Sequence, residues 1–263
     1  MDSVHCTPGE RAVVITRVAE RHWHALEDDL VVGRGEASRR PDGRIFLSID
    51  AWHGAVFEHL AEAMLPALPR PLYTVVDEAD ADLTSQWRRA GFTVRRREWE
   101  YLVPTAPRTT GLASILPPPG VTIVPLGEAD DGLLRELDRV IRDEIEATVG
   151  WQEMPAEVLP RPAGVTVLDP SKYAAAVEAG HYAGYVRLAH VARLPRIGLI
   201  AVRDGARRRG IARALLAEVL GSLHHKGIAR ASADVNEANV GALALFDGVG
   251  ARRANSNLEL VVR

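Results

Sequence analysis

The sequence predicts an α/β protein of the α+β type with two similar units, each a mixed, mostly antiparallel sheet flanked by helices. Three observations predict it. Short β-rich runs alternate with apolar repeats at helical spacing, two stretches of the 263-residue chain match one another in order, and a proline-rich segment lies between them. With 47% hydrophobic residues, the chain can bury one large core or two modest ones.

The first unit opens with "HALEDDLVVGRGEA", residues 24–37, a predicted hairpin with Gly33 early in its second arm. Its "GRGEAS" is no dinucleotide fingerprint, because no helix opens there. A helix follows in "WHGAVFEHLAEAML", residues 52–65, and a late strand carries "RRR" at 95–97 beside Trp99. The segment "PTAPRTTGLASILPPPG", residues 104–120, holds five prolines and reads as a semi-rigid linker. The expected organisation is therefore a domain over 1–105, a linker over 106–120 and a second domain over 121–263.

In the second domain "VTIVPL" (121–126) reads as a strand and residues 129–150 as a helix, with Leu133, Leu134, Leu137, Val140, Ile141 and Ile145 at helical spacing. Acidic Asp130 and Asp131 at its start suit the helix dipole. "KYAAAVEAG", "HYAGYVRLAHV" and "PRIGLIAV" follow as three β-rich runs with turn signals between them, an antiparallel meander. From Ile211, the residues Leu215, Leu216, Val219, Leu220 and Leu223 form one helix face, with Gly227 as its C-cap. A strand in "IARASADV", a short helix in "ANVGALALFDGVG" and a strand in "NLELVVR" close the chain.

The repeat aligns Gly54 with Gly210, so that Leu60, Ala61 and Glu62 fall on Leu216, Ala217 and Glu218. Further on, Gly91 falls on Gly250, 37 and 40 residues after the first pair of glycines, and Glu100 falls on Glu259. The hairpin glycines Gly33 and Gly184 also correspond. The first copy is shorter and has little room for a counterpart of the 129–150 helix.

A net charge of -3 and a pI near 6.3 argue against nucleic acid as a general partner, including for the 95–97 run. No run approaches the ~18 apolar residues of a membrane span, and Cys6 is the only cysteine, so the expectation is a soluble cytoplasmic protein with no membrane partner. The expectation for metals is none. His224 and His225 are adjacent and point to different helix faces, and with His181 and His190 they make no i, i+4 arrangement.

The stretch "GARRRGIARALLAEVL", residues 205–220, sets Arg207, Arg208 and Arg209 before Gly210 at a predicted helix start. Cations there are unfavourable by some tenths of a kcal/mol each, up to ~1, unless an anion joins them. A strand, a loop and a helix N-terminus bring unpaired N–H groups together, and arginine adds planar donors that match phosphate oxygens. Three side chains splayed into water are the competing explanation.

"VRDGARRRGIARALL" resembles the acyl-CoA signature of the GNAT acetyltransferase superfamily, Arg/Gln-x-x-Gly-x-Gly/Ala, with Arg207, Gly210 and Ala212 at its defined positions. "NVGALALFDGVGA" is similar to the family's second motif, Asn-x-x-Ala-x-x-Leu-Tyr-x-x-x-Gly-Phe, through Asn239, Ala242, Leu245 and Gly250. The resemblance covers roughly residues 120–263 and, more faintly, the first half, as a tandem arrangement with a degenerate N-terminal copy. It implies that Ile200, Ala201 and Val202 pair with the pantetheine arm of acetyl-CoA. It further implies that Arg207, Arg208, Arg209, Gly210, Ile211, Ala212 and Arg213 hold the pyrophosphate, with Asn239 and Phe246 nearby.

The departures from the family pattern are specific. Phe246 stands where many relatives have a tyrosine that protonates the departing thiolate, Ala251 replaces a phenylalanine, and Arg196 stands where relatives often place a glutamate base. Asp234, Glu178, Tyr185 and His181 are the candidate proton carriers. Capping explains Asp234 equally well, solvation Glu178, strand amphipathicity Tyr185 and a surface hairpin His181. In the first copy "AWH" (51–53) replaces the arginines, Asp80 replaces Asn239 and Trp87 replaces Phe246, which suits a structural partner.

The 129–150 helix is acidic at Asp138, Asp143, Glu144 and Glu146, with Glu153 beyond; a lining for a cationic amine and a solvated face both account for this. Trp151 and Met154 suit an apolar wall or the core. The resemblance implies transfer of an acetyl group from acetyl-CoA to a primary amine of a small molecule, directly in a ternary complex, by a monomer or homodimer. The alternative is a non-catalytic acyl-CoA-binding or regulatory module.

Overall fold

The computed structural model describes residues 13–148, 150, 153–154, 167–189 and 194–263. Cys6, Trp151 and His190 lie outside them. The chain forms two compact units, residues 1–95 with 258–263, and residues 96–257.

In the first unit β1 (Val14–Ala19), β2 (His22–Glu27), β3 (Leu30–Arg39) and β4 (Ile45–Ala51) are antiparallel neighbours in that order. Helix α1 (Gly54–Met64) then leads to β5 (Leu72–Asp77), parallel to β4, and α2 (Ala81–Arg89) follows. The β2–β3 hairpin turns through Asp28 and Asp29 at φ 49 and 63, a left-handed pair that matches strand twist. Trp23, Leu47, Val56, Phe57, Leu60, Trp87 and Phe92 fill the core, joined by Leu258, Leu260 and Val262 from the end of the chain. Strands β4 and β5 share only the pairs Ile45–Leu72 and Phe46–Tyr73.

The second unit takes most of β6 (Thr93–Pro104), then α3 (Pro107–Thr110), β7 (Val121–Val124), α4 (Asp131–Glu146), β8 (Tyr173–Glu178), β9 (His181–Ala189) and β10 (Arg196–Val202). Helix α5 (Ile211–His225), β11 (Arg230–Asn236), α6 (Val240–Asp247) and β12 (Arg252–Val262) complete the chain. The order in this unit is β7-β8-β9-β10-β11-β6, with β10 and β11 parallel and the other pairs antiparallel. This is the mixed, mostly antiparallel sheet that the sequence predicts.

Alternation along the strands gives each helix its face. Leu134, Leu137 and Ile141 of α4 pack with Tyr173, Ala175, Tyr185 and Leu199. The expected α5 face, Leu215, Leu216, Val219, Leu220 and Leu223, packs on the other side with Ala174, Ala176, Val186 and Ile197. Each such leucine contributes roughly 1.5–3 kcal/mol relative to exposure. Asp130 starts α4 as its N-cap, accepting the Leu133 N–H at 2.9 Å, and Gly227 ends α5 at φ 75.

The segment 106–120 is packed rather than a bare linker. It contains α3, Thr110 is buried, and Leu112 joins the core beneath α5. The units divide between Arg95 and Arg96 and again between Asn257 and Leu258. The reason is that β6 stays hydrogen-bonded to β11 from Glu98 to Pro104, which ties it to the second unit well before the prolines.

The same registers recur in each unit. Gly33 sits opposite Ala25 and Ala51, with a bulge between Ala25 and Leu26; Gly184 sits opposite Ala176 and Val202, with a bulge between Ala176 and Val177. Each glycine marks a close approach. A Cβ on Gly33 would lie 3.3 Å from the Asp50 carbonyl oxygen and 2.6 Å from Val56, and one on Gly184 would lie 2.9 Å from the Ala201 oxygen and 3.0 Å from Val202. Gly91 and Gly250, the other aligned pair, are both left-handed, at φ 92 and 71.

Gly184→Ala is therefore expected to destabilise the protein by about 1–3 kcal/mol, as overpacking against fixed backbone does. Denaturant unfolding measures it, and an unchanged midpoint would refute the close approach.

Candidate active site

Strands β10 and β11 share one registered pair, Arg196–Ser232, braced by the Ser232 N–H donating to the Pro195 oxygen at 2.8 Å. Beyond it no further pair joins them among the described residues, so the strands part. Ile200, Ala201 and Val202 remain paired to β9 on one side, and their backbone on the β11 side faces the gap. An extended chain with amide groups can fill such an edge.

Where β10 ends, a single turn over Asp204–Ala206 leads into α5. Arg208 is left-handed at φ 62, and Gly210, the N-cap of α5, at φ 94. Gly210 has no capping side chain, and the first turn of α5 carries no acid. The N–H groups of Ile211, Ala212 and Arg213 thus have no acceptor within the helix, and the positive end of the dipole stands there unbalanced. A Cβ on Gly205 or Gly210 would meet no atom within 4 Å, so the loop surface is open.

The triplet recruits carboxylates of its own unit. Glu144 of α4 accepts the Asp204 N–H with both oxygens at 2.9 Å and pairs with Arg207 at 3.2 Å. Arg207 also reaches the Val202 oxygen at 3.0 Å and Asp204 at 3.1 Å. Arg209 pairs with Glu178 at 2.6 Å, and Arg203 lies 3.6 Å from the same carboxylate. A loop that captures a carboxylate with a backbone N–H and a guanidinium has the donor set of an oxyanion receptor.

The candidate proton carriers do not converge. Tyr185 is fully buried under α4, where its hydroxyl donates to buried Asp138 at 3.4 Å and burial pushes its pKa far up; it does not line the gap. It packs there with Leu134, Leu137 and Tyr173. Glu178 is the last residue of β8, and the Arg209 hydrogen bond holds its carboxyl below the usual range. Asp234 on β11 is paired with Arg196 at 3.1 Å, so the arginine in the glutamate position holds a carboxylate beside the gap. His181 begins β9, 3.7 Å from Glu136, in a pocket of about 220 Å³ that Leu133, Val140, Tyr182 and Arg203 also line.

Asn239 caps α6 by accepting the Ala242 N–H at 3.0 Å, which orders the backbone. Phe246 is buried, its ring 5.6 Å from that of Tyr101. The Tyr101 hydroxyl donates to Asp247 at 2.8 Å and accepts from Arg253 at 2.9 Å, and burial raises its pKa. In the first unit Asp80 caps α2 in the same manner, Trp87 is sealed between Phe57 and Phe92, and α1 starts at His53 beside an exposed Trp52 without any arginine.

Residues 137–251 match the model of the acetyltransferase (GNAT) family. They belong to the GNAT family. The whole chain is similar in fold to a GCN5-related N-acetyltransferase from Sphaerobacter thermophilus, at TM-score 0.64 and 16% identity over 94% of this chain and 82% of that one. It is also similar to a tandem GNAT protein from the clavulanic acid biosynthesis pathway, at 0.64 and 15% over 92% and 82%. A third is a GCN5-related N-acetyltransferase from Kribbella flavida, at 0.60 and 15% over 95% and 89%. No curated protein sequence matches the chain. The GNAT family and fold are those of acyl transfer. Among the described residues no group of His, Cys, Asp or Glu is placed to hold a metal ion, and no helix is long and apolar enough to cross a membrane.

Sequence patterns singled out Glu144 only within an acidic helix face, whereas it binds the loop at Asp204 and Arg207, and they did not point to Arg187 or Gly198. Because the folded pKa of Glu178 is lowered, its pairing favours the folded state above the ordinary glutamate range, and that contribution is lost as pH falls through the folded value. In Arg209→Ala the Glu178 midpoint should move up toward the ordinary range. Carboxyl NMR titration measures it, and an unmoved midpoint would contradict the pairing.

Proposed function

We propose that the protein transfers an acetyl group from acetyl-CoA to a primary amine of a small molecule, directly within a ternary complex. One observation carries the reading: α5 begins without a cap at the end of the parting β10, with left-handed Arg208 and Gly210 and three arginines around its free N–H groups. The residues fit the donor. Arg207 to Arg213 would hold its pyrophosphate, and the free edge of Ile200–Val202 its pantetheine amides.

The amine nitrogen, having given one proton to a base, forms a bond to the thioester carbon. The carbon–sulfur bond breaks, and the second ammonium proton passes to the thiolate, directly or through water. Positioning and electrostatic stabilisation supply most of such a barrier reduction. Phe246 has no proton to give, which favours a second reading as a non-catalytic acyl-CoA-binding module. Two copies, residues 1–105 and 121–263, with a degenerate first copy, account for the matching registers of the two units. A cytoplasmic monomer or homodimer completes the proposal.

Calorimetry with acetyl-CoA is expected to show binding, weakened roughly ten- to hundredfold by Arg207→Ala with Arg209→Ala. No binding by the unaltered protein would reject both readings. Thiol release with an amine panel separates them, because turnover excludes the non-catalytic module.

A further inference from the structure

The sheet face under α4 carries charge where β10 and β11 part. Arg187 follows Tyr185 by two positions on β9 and so shares its face; Arg196 shares that face through its pairing with Ala189. On the other side of the gap, Asp234 stands opposite Glu100 of β6, and the Arg196–Asp234 pair places both on the same face.

Gly198 admits the Arg187 side chain. A Cβ at that position would lie 2.8 Å from Arg187 Nη1, so the guanidinium reaches over β10, two residues beyond its last pair with β11. That Nη1 is buried and has no hydrogen-bond partner among the described residues. A buried charged donor left unpaired is costly, and native structures rarely keep one without a ligand or water to receive it. On the same sheet face, one strand beyond β11, the Glu100 carboxylate has no hydrogen bond or ion pair among the described residues. One unused cation and one unused anion therefore share a sheet face on either side of the gap, with Arg196 and Asp234 paired between them.

Strands lie roughly 5 Å apart, so long side chains reaching inward from β9 and β6 leave room for a few-atom molecule with opposite charges at its two ends. A plain amine would satisfy Glu100 and leave Arg187 unpaired, and a simple acid the reverse. We propose that the acceptor is a small zwitterion of the amino-acid class, its carboxylate held by Arg187 and its ammonium by Glu100 beside Asp234. This rests on the acetyl-transfer reading and narrows its acceptor. Arg187 acts in recognition. Glu100 touches the reacting amine and receives its first proton.

The test compares amino acids with their decarboxylated amines as acceptors for acetyl-CoA, following thiol release by the full chain. The unaltered protein should prefer the amino acid by about tenfold or more in kcat/KM. Arg187→Met should remove that preference by raising KM for the amino acid, leaving the decarboxylated amine and the calorimetric affinity for acetyl-CoA little changed. Gly198→Ala tests the same contact with the charge kept, since its Cβ displaces the guanidinium; it should raise KM in the same selective way. Glu100→Gln should lower kcat/KM for both acceptors alike. Donor binding with equal or better use of the decarboxylated amines overturns the zwitterion and leaves acetyl transfer standing. Absence of donor binding overturns both.

Discussion

Strands β10 and β11 run parallel, share one registered pair at Arg196 and Ser232, and then separate. Parallel strands gain by pairing along their length, and a backbone edge without partners is costly once buried. The gap therefore holds only because other elements fix both strands: β9 holds β10 through six registered positions, and β6 holds β11 through seven. The free edge of β10, the open start of α5 and the charged face under α4 all look onto the place this separation opens. The first unit repeats the device, with β4 and β5 paired only at Ile45–Leu72 and Phe46–Tyr73. There the following helix starts at His53 without arginines, so the same backbone solution stands without the chemistry of an anion site.

Features legible in the sequence were those that local physics writes into it. The five apolar residues of the α5 face are all buried, Asp130 caps α4, Gly227 ends α5, and Gly33 and Gly184 mark equivalent close approaches. Each follows from a period, a cap or a backbone angle. Tyr185 lies in the core under α4, and a run such as "YAGYV" (182–186) does not reveal in sequence which of its residues a helix will cover. Leu112 and Ile115 were lost among prolines, since two apolar positions make no period, yet both pack on the core. Arg187 and Gly198 meet through the register of β9 and β10 and a bulge in β10 between Ile197 and Leu199, and Glu100 shares their face only through the register of β11 with β6, a relation no linear spacing carries.

The arginine triplet shows how a cationic helix start is tolerated before any ligand arrives. Glu144 and Glu178 come from two other elements, and each meets one arginine, with Arg208 left to solvent. Their carboxylates offset the mismatch with the dipole, and both pairs are partly exposed, so each is worth little. An incoming dianionic phosphate displaces them at small cost and gains the N–H groups of the helix turn that the carboxylates do not reach. Weak internal pairing keeps the loop folded without sealing it.

The loss of the tyrosine at Phe246 bears on which proton matters. A thiol ionises near pH 8.5, so a departing thiolate is tolerable close to neutrality without a dedicated acid. An aliphatic amine binds its proton near the lysine range, about two units higher, and must lose it before it can attack. For acyl transfer to an amine, the heavier demand on the protein is therefore removal of the ammonium proton and alignment of the nitrogen. Tyr101, whose ring lies 5.6 Å from that of Phe246, has its hydroxyl held between Arg253 and Asp247. Glu100, opposite Asp234 on the strand that flanks β11, is the base proposed for that task. It sits on β6, the strand that in sequence closes the first half of the chain and in space completes the sheet of the second unit.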